Sequence, residues 1–529
     1  MRPPPDRLVP GLALALAAGV FAHACGRRVA PQQHPAGQPA DATAPPVSAS
    51  AAAPEPGGNV EFLVQDEHGR PIPCKLTWLG RDGTPTPDLA LGLPARIIDG
   101  GVAANHRIFS MHGRGSFAVP PGSYELFVSR GPEWSLHVEQ ITVGAKATKL
   151  AATLTHLIAR AGWISADTHV HADPSWDSKV PLSARVHEFV SEGVDVLVAT
   201  DHNVVTDYRP EIERAGAKEL LGTVAGAEIS TTDWGHFGAF PLRQQNEWWV
   251  LHRVRMKGAK PDELLRDVRR HGPTALITVN HPRLGKMGYF SIAGFDPRTA
   301  LFGRSRVSFE FDAIEVMNGS KHGSFEAVDR VMTDWFGLLQ NGRRVTAVGN
   351  SDTHGIALSH AGYPRNYVRM DEVGPAVDGE RLAAAMREGS SFFSSGPFIE
   401  ASIDDKSFGQ LARAVEGKVT LAVRVRAAPW ISVARLRIYA NGRPVTDLPI
   451  APSEAVERYS EKLELEMLDD AFVVVRVDGD RELPPVVGGV SGGKLFPIAV
   501  SNPIFVDGDG DGRWTARRGG AAAAPKLGR

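Results

Sequence analysis

Histidines and carboxylates recur at one kind of position in the middle of this sequence. Five apolar runs of strand type, within residues 163–349, each end just before residues that commonly bind metal ions. These residues are His169 with His171, His202, Glu228, His281, and Asp352 with His354. If the runs are parallel strands alternating with helices, their carboxyl ends meet at one face, where the active sites of βα barrels lie. We therefore expect these side chains to share one site.

The spacing within two of these segments favours a metal site over scattered histidines. Residues two apart on an extended segment point to the same side, so His169 with His171, and Asp352 with His354, could each grip one ion. Chance could supply one such pair among 18 histidines, but two pairs with an Asp-His and an Asn-His-Pro segment favour metal binding. A lone histidine such as His187 is more simply interpreted as packing or solvated surface. Imidazoles with a few carboxylates and no thiolate suit Zn²⁺, Mn²⁺ or Fe, and argue against Ca²⁺ or Mg²⁺ cages.

In their order along the chain these motifs resemble the PHP (polymerase and histidinol phosphatase) metallohydrolase superfamily, in its CehA/McbA-like branch. The likeness covers roughly residues 162–400: H-x-H at 169–171, T-D-H-N at 200–203, a glutamate at 228, G-H-F-x-A-F-P-L at 235–242, N-H-P at 280–282 and S-D-x-H at 351–354. It implies a distorted (β/α)7 barrel with two or three divalent ions. The ligands it implies are His169, His171, His202, Glu228, His236, His281, Asp352 and His354. Many members carry a further histidine after the first motif, where this chain offers Asp177 as a substitute, so the number of ions stays open.

Neighbouring divalent ions are suited to hydrolysis, because a water that bridges them loses its proton near neutral pH. Asp201 is placed to orient the imidazole of His202, or is a simple turn residue. Arg283 could stabilise an anionic transition state or form a surface salt bridge. Glu315 and Asn318 end the strand near 312–319 at the same face, and Asn318 is a candidate catalytic residue there.

We expect a phosphoesterase acting on a small-molecule or envelope-derived substrate. Hydrolysis of a carbamate, amide or carboxylic ester at the same site stays open, because the branch includes a carbamate hydrolase. A second class of hypothesis is a non-catalytic protein that binds polysaccharide or envelope partners and keeps the barrel as a metal-stabilised scaffold. Nearly all ligand positions are filled, which favours the enzyme.

The elements that would position this site follow from periodicity. Residues 181–192 and 261–271 place apolar side chains on one face at helical spacing, and together with the apolar runs they indicate a barrel at residues 158–398. Short alternating runs with Gly/Pro turns predict a β-sandwich at 59–157, which resembles the carboxypeptidase-regulatory-like domain at 69–73 and 119–124. Similar runs predict a second sandwich at 399–515. The expected fold is therefore multidomain, a central distorted (β/α)7 barrel flanked by N-terminal and C-terminal β-sandwiches.

The N-terminus is typical of an exported protein. Arg2 and Arg7 precede the apolar run 8–22, and an A-x-A pattern at 22–24 ends just before Cys25, so residues 1–24 are interpreted as a signal peptide. Cys25 resembles a bacterial lipoprotein site, although Ala22 stands where leucine is usual, so both a lipid anchor and simple cleavage stay open. A Pro/Ala-rich linker is expected at 25–58 and a disordered tail at 516–529. The expected location is the periplasm or outer envelope, lipid-anchored or not, or the extracellular space.

Composition excludes several classes of protein. The chain has 529 residues and a formal net charge of −2, with no basic excess for nucleic acid. Its two cysteines exclude a disulfide scaffold and a Cys-rich zinc module. A G-x-S-x-G segment at 489–493 lacks the strand-turn-helix elbow of serine hydrolases. The Asp507-x-Asp509-x-Asp511 segment opens like a calcium loop, but Arg518 stands where the loop needs glutamate, which leaves a partial structural Ca²⁺ site as the remaining interpretation. The oligomeric state is not predicted.

Overall fold

The computed structural model describes residues 58–243, 258–319, 323–356, 360–371, 374–483, 485–488 and 495–516, which belong to one compact unit, Pro54–Arg529. The predicted signal peptide, Cys25, the linker apart from Gly58, the 489–493 segment and the tail beyond residue 516 lie outside these residues. None of the described helices is long and apolar enough to cross a membrane.

The first part of the described chain consists of strands. They are β1 (Gly58–Asp66), β2 (Cys74–Arg81), β3 (Arg96–Ile98), β4 (Gly101–Ala104), β5 (Arg107–Ser110), β6 (Arg114–Val119), β7 (Gly122–Ser129), β8 (His137–Val143) and β9 (Thr148–Leu154). One sheet has the order β6-β1-β9 and the other the order β3-β4-β5-β2-β7-β8. Alternate residues of β1 are buried, because one face of a strand packs on the core while the other meets solvent. Val60, Leu76, Trp78 and Leu126 belong to the apolar core that the two sheets share, and we call residues 58–154 the N-terminal sandwich.

The next part carries all six α-helices of the described residues. The strands are β10 (Trp163–Val170), β11 (Val196–Ala199), β12 (Gly222–Ala225), β13 (Ala227–Ser230), β14 (His236–Phe240), β15 (Leu276–Val279), β16 (Phe295–Asp296), β17 (Leu301–Phe302), β18 (Ala313–Asn318), β19 (Thr346–Asn350), β20 (Arg365–Arg369) and β21 (Ser391–Ser394). The helices are α1 (Leu182–Ser191), α2 (Arg209–Arg214), α3 (Pro261–His271), α4 (Tyr289–Ala293), α5 (Phe325–Gln340) and α6 (Gly379–Arg387).

The predicted (β/α)7 barrel is wrong. The structure is rich in strands, at 41% strand and 14% helix. Among the central strands β10 to β21, only β10-β11-β12 and β15-β18-β19 pair in parallel. Strand β20 runs antiparallel to β10, and β14 runs antiparallel to both β13 and β15. The connections contribute to this: β12, β13 and β14 follow one another through short turns without a helix. Tight turns allow antiparallel neighbours, and only a longer crossover brings the chain back in parallel.

The large sheet continues past residue 398. The remaining strands are β22 (Phe398–Ile403), β23 (Leu411–Arg413), β24 (Lys418–Arg426), β25 (Arg435–Ala440), β26 (Arg443–Pro449), β27 (Glu457–Glu466), β28 (Ala471–Asp478), β29 (Ile498–Ser501) and β30 (Ile504–Asp507). The sheet has the order β12-β11-β10-β20-β21-β29-β28-β25-β26, with β30 and β23 joined at β28, and separate sheets have the orders β13-β14-β15-β18-β19 and β22-β24-β27. Because β21 pairs with β29, β10 and β11 lie in one sheet with the C-terminal strands. The other site-bearing strands, β13, β14, β15 and β19, lie in the separate five-stranded sheet, and their apolar side chains pack in the same core as those of β28 and β29.

The two predicted helices are confirmed as α1 and α3. Helix α3 begins at Pro261, where a missing N–H costs nothing, and it carries acidic residues in its first turn and basic residues in its last turn. Its buried face consists of Leu264, Leu265 and Val268 with Pro261.

Candidate metal centre

All nine predicted metal ligands lie together at the ends of the central strands. Their donor atoms fall into four overlapping groups, and within each group the atoms lie within 4.8 Å of one another. The groups are His171, Asp177, His202 and His354; His169, His171 and Asp352; His169, Glu228 and His281; and His202, Glu228 and His236.

Glu228 is the shared member at the centre of the cluster. Its Oε1 lies 3.2 Å from His169 Nε2, 3.2 Å from His281 Nε2 and 3.3 Å from His236 Nδ1, and its Oε2 lies 2.8 Å from His202 Nδ1. Five histidines in all, including His171 at 3.7 Å, surround this one buried carboxylate. A carboxylate shared in this way is suited to bridge two ions.

Several donor atoms are buried without a hydrogen bond. Among the described residues these include Glu228 Oε2, His171 Nε2 and His236 Nδ1. Glu228 Oε2 is within ion-pair distance of His202 Nδ1, yet the geometry is not that of a hydrogen bond. Buried polar atoms are normally paired, and orphans need an explanation. Divalent ions bound by imidazole and carboxylate would pair them, so the donor set fits Zn²⁺, Mn²⁺ or Fe.

The loops that carry two of the ligands are strained. His281 has a backbone φ of 28° and Asp352 one of 50°, both unusual for a residue with a side chain. Hydrogen bonds hold them there: the His281 N–H donates to Glu315 Oε2 at 2.7 Å, and the Asp352 N–H donates to the His169 carbonyl at 3.0 Å. Strained backbone of this kind is concentrated at functional sites.

Glu315 is the carboxylate that orients an imidazole. Its Oε1 lies 2.9 Å from His169 Nδ1 and accepts from Asn350 Nδ2, while its Oε2 accepts from the His281 N–H and from Asn318 Nδ2. The contact leaves His169 Nε2 facing Glu228 and Asp352. The position of Glu315 at this face could be predicted from a single acid in the otherwise uncharged strand β18, but its contact with His169 could not.

Asn318 touches a ligand rather than the open side of the site. Its Nδ2 donates to Asp352 Oδ2 and to Glu315 Oε2, both at 3.0 Å. It therefore positions Asp352, which differs from the catalytic role expected from the sequence.

Asp201 orients a loop and not an imidazole. Its Oδ1 accepts from the Ala172 N–H at 2.8 Å, and its Oδ2 accepts from Thr206 Oγ1 at 2.6 Å and from Tyr208 Oη at 3.0 Å. The expectation that it orients His202 is corrected: the Nδ1 of His202 faces Ser230 Oγ, at 2.6 Å, and Glu228.

Arg283 is held in a salt bridge. Its Nε and Nη2 form a bidentate pair with Asp334 at 2.6 and 2.5 Å, and Nη1 and Nη2 donate to the carbonyls of Phe290 and Phe295. Because every nitrogen of the guanidinium already donates to one of these groups, Arg283 does not stabilise an anionic transition state in this arrangement. The salt-bridge alternative holds, although the pair is largely buried rather than on the surface.

The electrostatics of the cluster follow from burial and mutual contact. Burial alone would raise the pKa of Glu228, but the surrounding histidines outweigh it and hold that pKa well below its usual range. Burial opposes the charge of His202, yet the carboxylates of Asp177 and Glu228 raise its pKa to about 10. Burial lowers the pKa of His171 to about 3. A cation must therefore accompany the buried carboxylates, as a proton or as a metal ion.

The cluster opens to solvent on one side. The side chains of Asp177 and His354 are 28% and 22% exposed, whereas those of His169, His171 and Glu228 are at most 1% exposed. The indole of Trp176 is 76% exposed and stacks on the His202 ring at 5.1 Å. A substrate would therefore reach the group of His171, Asp177, His202 and His354 first.

Three carboxylates also meet at the predicted calcium segment, namely Asp470, Asp507 and Asp509. Both oxygens of Asp507 accept backbone N–H groups, from Gly510 and Gly512, and so do both oxygens of Asp470. These bonds stabilise the turn by themselves, and a calcium ion there stays a prediction.

Comparison with known proteins adds little. No family model matches the sequence. No curated protein is significantly similar to it. Among solved structures, a DUF3823 family protein from Bacteroides ovatus ATCC 8483 is similar over 27% of this chain and 75% of its own, at 11% identity and a TM-score of 0.15. A TM-score this low supports no conclusion about fold or function.

Proposed function

We propose that the protein is an exported metal-dependent hydrolase that cleaves a phosphate ester in a small-molecule or envelope-derived substrate. The observation that carries the proposal is the convergence of six histidines with Glu228, Asp352 and Asp177 in overlapping groups, with buried donor atoms that make no hydrogen bond. The ordered motifs resemble those of the PHP superfamily in its CehA/McbA-like branch, and they support the same chemistry on this strand-rich fold.

The buried and the partly exposed residues of the cluster have different roles in this proposal. The buried ligands His169, His171, Glu228, His281 and Asp352 would hold the inner ions, and His236 would complete a further group with His202 and Glu228. Two or three bound Zn²⁺, Mn²⁺ or Fe ions would supply a water nucleophile at neutral pH and polarisation of the bond under attack.

This chain's own residues supply the orientation. Glu315 fixes the ring of His169, and Asn318 fixes the carboxylate of Asp352, so both ligands keep their direction before substrate arrives. The partly exposed Asp177 and His354 lie where substrate would enter. Burial alone would raise the pKa of the Asp177 carboxyl, but His202 and His354 lower it, so the carboxyl stays anionic. An anionic ligand at the opening retains an ion where the substrate meets it.

The test is metal analysis of protein purified without chelator, paired with phosphomonoester, phosphodiester, carbamate and carboxylic ester substrates. We expect two or three ions per chain and turnover of a phosphoester. His169→Ala and Asp352→Ala should each lower the ion count and abolish turnover. His271→Ala is the control, because its Nδ1 faces the Asp267 carbonyl within α3 and not the cluster.

The panel also separates the alternatives. Turnover of only the carbamate or carboxylic ester would show that the substrate is not a phosphoester, while the proposed metal site would still stand. Bound ions without any turnover would favour a non-catalytic binding protein. Full turnover by either ligand variant would refute the proposed site.

A further inference from the structure

Arg185 of α1 contacts the backbone of two ligand segments at once. Its Nε donates to the carbonyl of His171 at 3.0 Å, its Nη1 donates to Thr353 Oγ1 and to the Gly355 carbonyl, both at 3.1 Å, and its Nη2 donates to the Thr353 carbonyl at 3.3 Å. The side chain is fully buried and also pairs with Glu188. A guanidinium presents its N–H donors in a rigid plane, so one side chain can fix several acceptors relative to one another. Here it fixes the segment of His171 relative to the segment between Asp352 and His354.

The same helix is tied to the N-terminal sandwich by buried charges. Lys75 of β2 forms an ion pair with Glu192, directly after α1, and the two side chains are 3% and 4% exposed. Arg107 of β5 is also buried, and burial lowers the pKa of its guanidinium to about 10, while the nearby Glu192 and Glu188 carboxylates oppose this shift. Three cations and two carboxylates therefore lie in one buried layer between the sandwich and the ligand segments. Removing one member of such a layer leaves its partners charged and unsolvated.

Apolar contacts reach the same segments from the sandwich. Ala104 of β4 and Phe109 of β5 belong to one small core with Ala184 of α1 and with Ile356, which lies two residues after the ligand His354. The sandwich therefore packs on both supports of the ligands, α1 and the loop after β19.

We infer that Arg185 is a positioning residue for the metal centre and that the N-terminal sandwich belongs to the scaffold of that centre, instead of being a separate binding module. The sandwich holds α1 through the pair of Lys75 with Glu192, α1 holds Arg185, and Arg185 sets the separation of the two ligand segments. The inference rests on the proposed metal centre and adds a dependence on residues that bind no ion.

A purely stabilising role makes a different prediction, and a matched control separates the two. Arg476 is also a fully buried arginine with two ion pairs, to Asp329 and Asp478, but its partners are not ligands. If both arginines only stabilise the fold, Arg476→Lys and Arg185→Lys should lower the melting temperature without changing metal binding.

The experiment uses the full chain with Arg185→Lys, Lys75→Met and Arg476→Lys. Lysine at 185 keeps the charge beside Glu188 but cannot reach all the carbonyls that the guanidinium joins. The readouts are Zn²⁺ affinity by chelator competition, the visible absorption of the Co²⁺ form, which reports ligand geometry, and the melting temperature.

We expect Arg185→Lys to weaken Zn²⁺ binding about ten- to hundredfold, the range seen when a partner that orients a ligand is lost, and to change the Co²⁺ spectrum. Lys75→Met should change the Zn²⁺ affinity and the Co²⁺ spectrum in the same direction as Arg185→Lys but to a smaller extent. Arg476→Lys should change neither the affinity nor the spectrum. Wild-type affinity and spectrum in Arg185→Lys would overturn the inference while leaving the proposed function intact. If Arg185→Lys does not fold, Lys75→Met decides by the same criterion. A wild-type chain that binds no ion would instead refute the proposed function itself.

Discussion

Replacing Glu315 by glutamine should weaken metal binding without removing a metal ligand. The carboxylate accepts from four groups: the His169 ring, the Asn350 and Asn318 amides, and the His281 N–H. Glutamine keeps the shape but turns one acceptor oxygen into a donor. Each oxygen of Glu315 accepts two of these hydrogen bonds, so the amide nitrogen of glutamine would face two donors at either position.

The size of the effect follows from those contacts. Hydrogen bonds to a charged group contribute about 1.5–3 kcal/mol each, so losing two should lower the free energy of unfolding by about 3–6 kcal/mol. Loss of the carboxylate that orients His169 should reduce metal affinity by about ten- to hundredfold. The affinity change isolates the role of Glu315 at the site, because the stability loss alone could come from any buried carboxylate.

Chelator competition with Zn²⁺ and urea unfolding measure the two quantities separately. Asp334→Asn is the matched control, since Asp334 is as buried as Glu315 but pairs with Arg283 and not with a predicted ligand. It should lose stability and keep its metal affinity. Equal metal affinity in Glu315→Gln and in the wild type would show that Glu315 does not orient His169.

Three further predictions concern other parts of the chain. Asp177 belongs to one of the four donor groups, so Asp177→Ala should remove one ion per chain by metal analysis and Asp177→His should restore it; an unchanged count in Asp177→Ala would remove Asp177 from the ligands. Burial, with Arg107 and Lys75 nearby, lowers the pKa of His106 to about 4, below the value of about 6.5 in an unfolded chain. The stability that neutral His106 contributes should therefore be present above about pH 6.5 and be lost as the pH falls towards about 4. In urea unfolding, the free energy of unfolding should fall less over this pH range in His106→Gln than in the wild type. The same pH dependence in both proteins would contradict this. Intact-mass measurement should find a mature chain that begins at Cys25 outside the cytoplasmic membrane, with detergent partitioning separating a lipidated from an unmodified cysteine, and a cytosolic chain that keeps Met1 would refute export.

The residues that come together at the candidate site could be predicted from the sequence, because residue type and short spacing are local properties. Residue type determines which ions a side chain can bind, and a spacing of two residues on an extended segment places His169 and His171 on one side. The resemblance to a known motif order added His236 and Asp177. Helices α1 and α3 could be predicted for the same reason, since an amphipathic period is contained within about three turns of one segment.

The tertiary structure alone decided which partner each polar side chain has. Glu315 and His169 are 146 residues apart, and Arg283 and Asp334 are 51 residues apart. No local pattern therefore shows that Glu315 contacts the His169 ring or that Arg283 pairs with Asp334. The direction of strand pairing is equally non-local, and for this reason apolar runs that could belong to a parallel barrel form mixed sheets instead. Local periodicity defines an element and its buried face, whereas neighbours in a sheet are chosen by turns and packing over the whole chain.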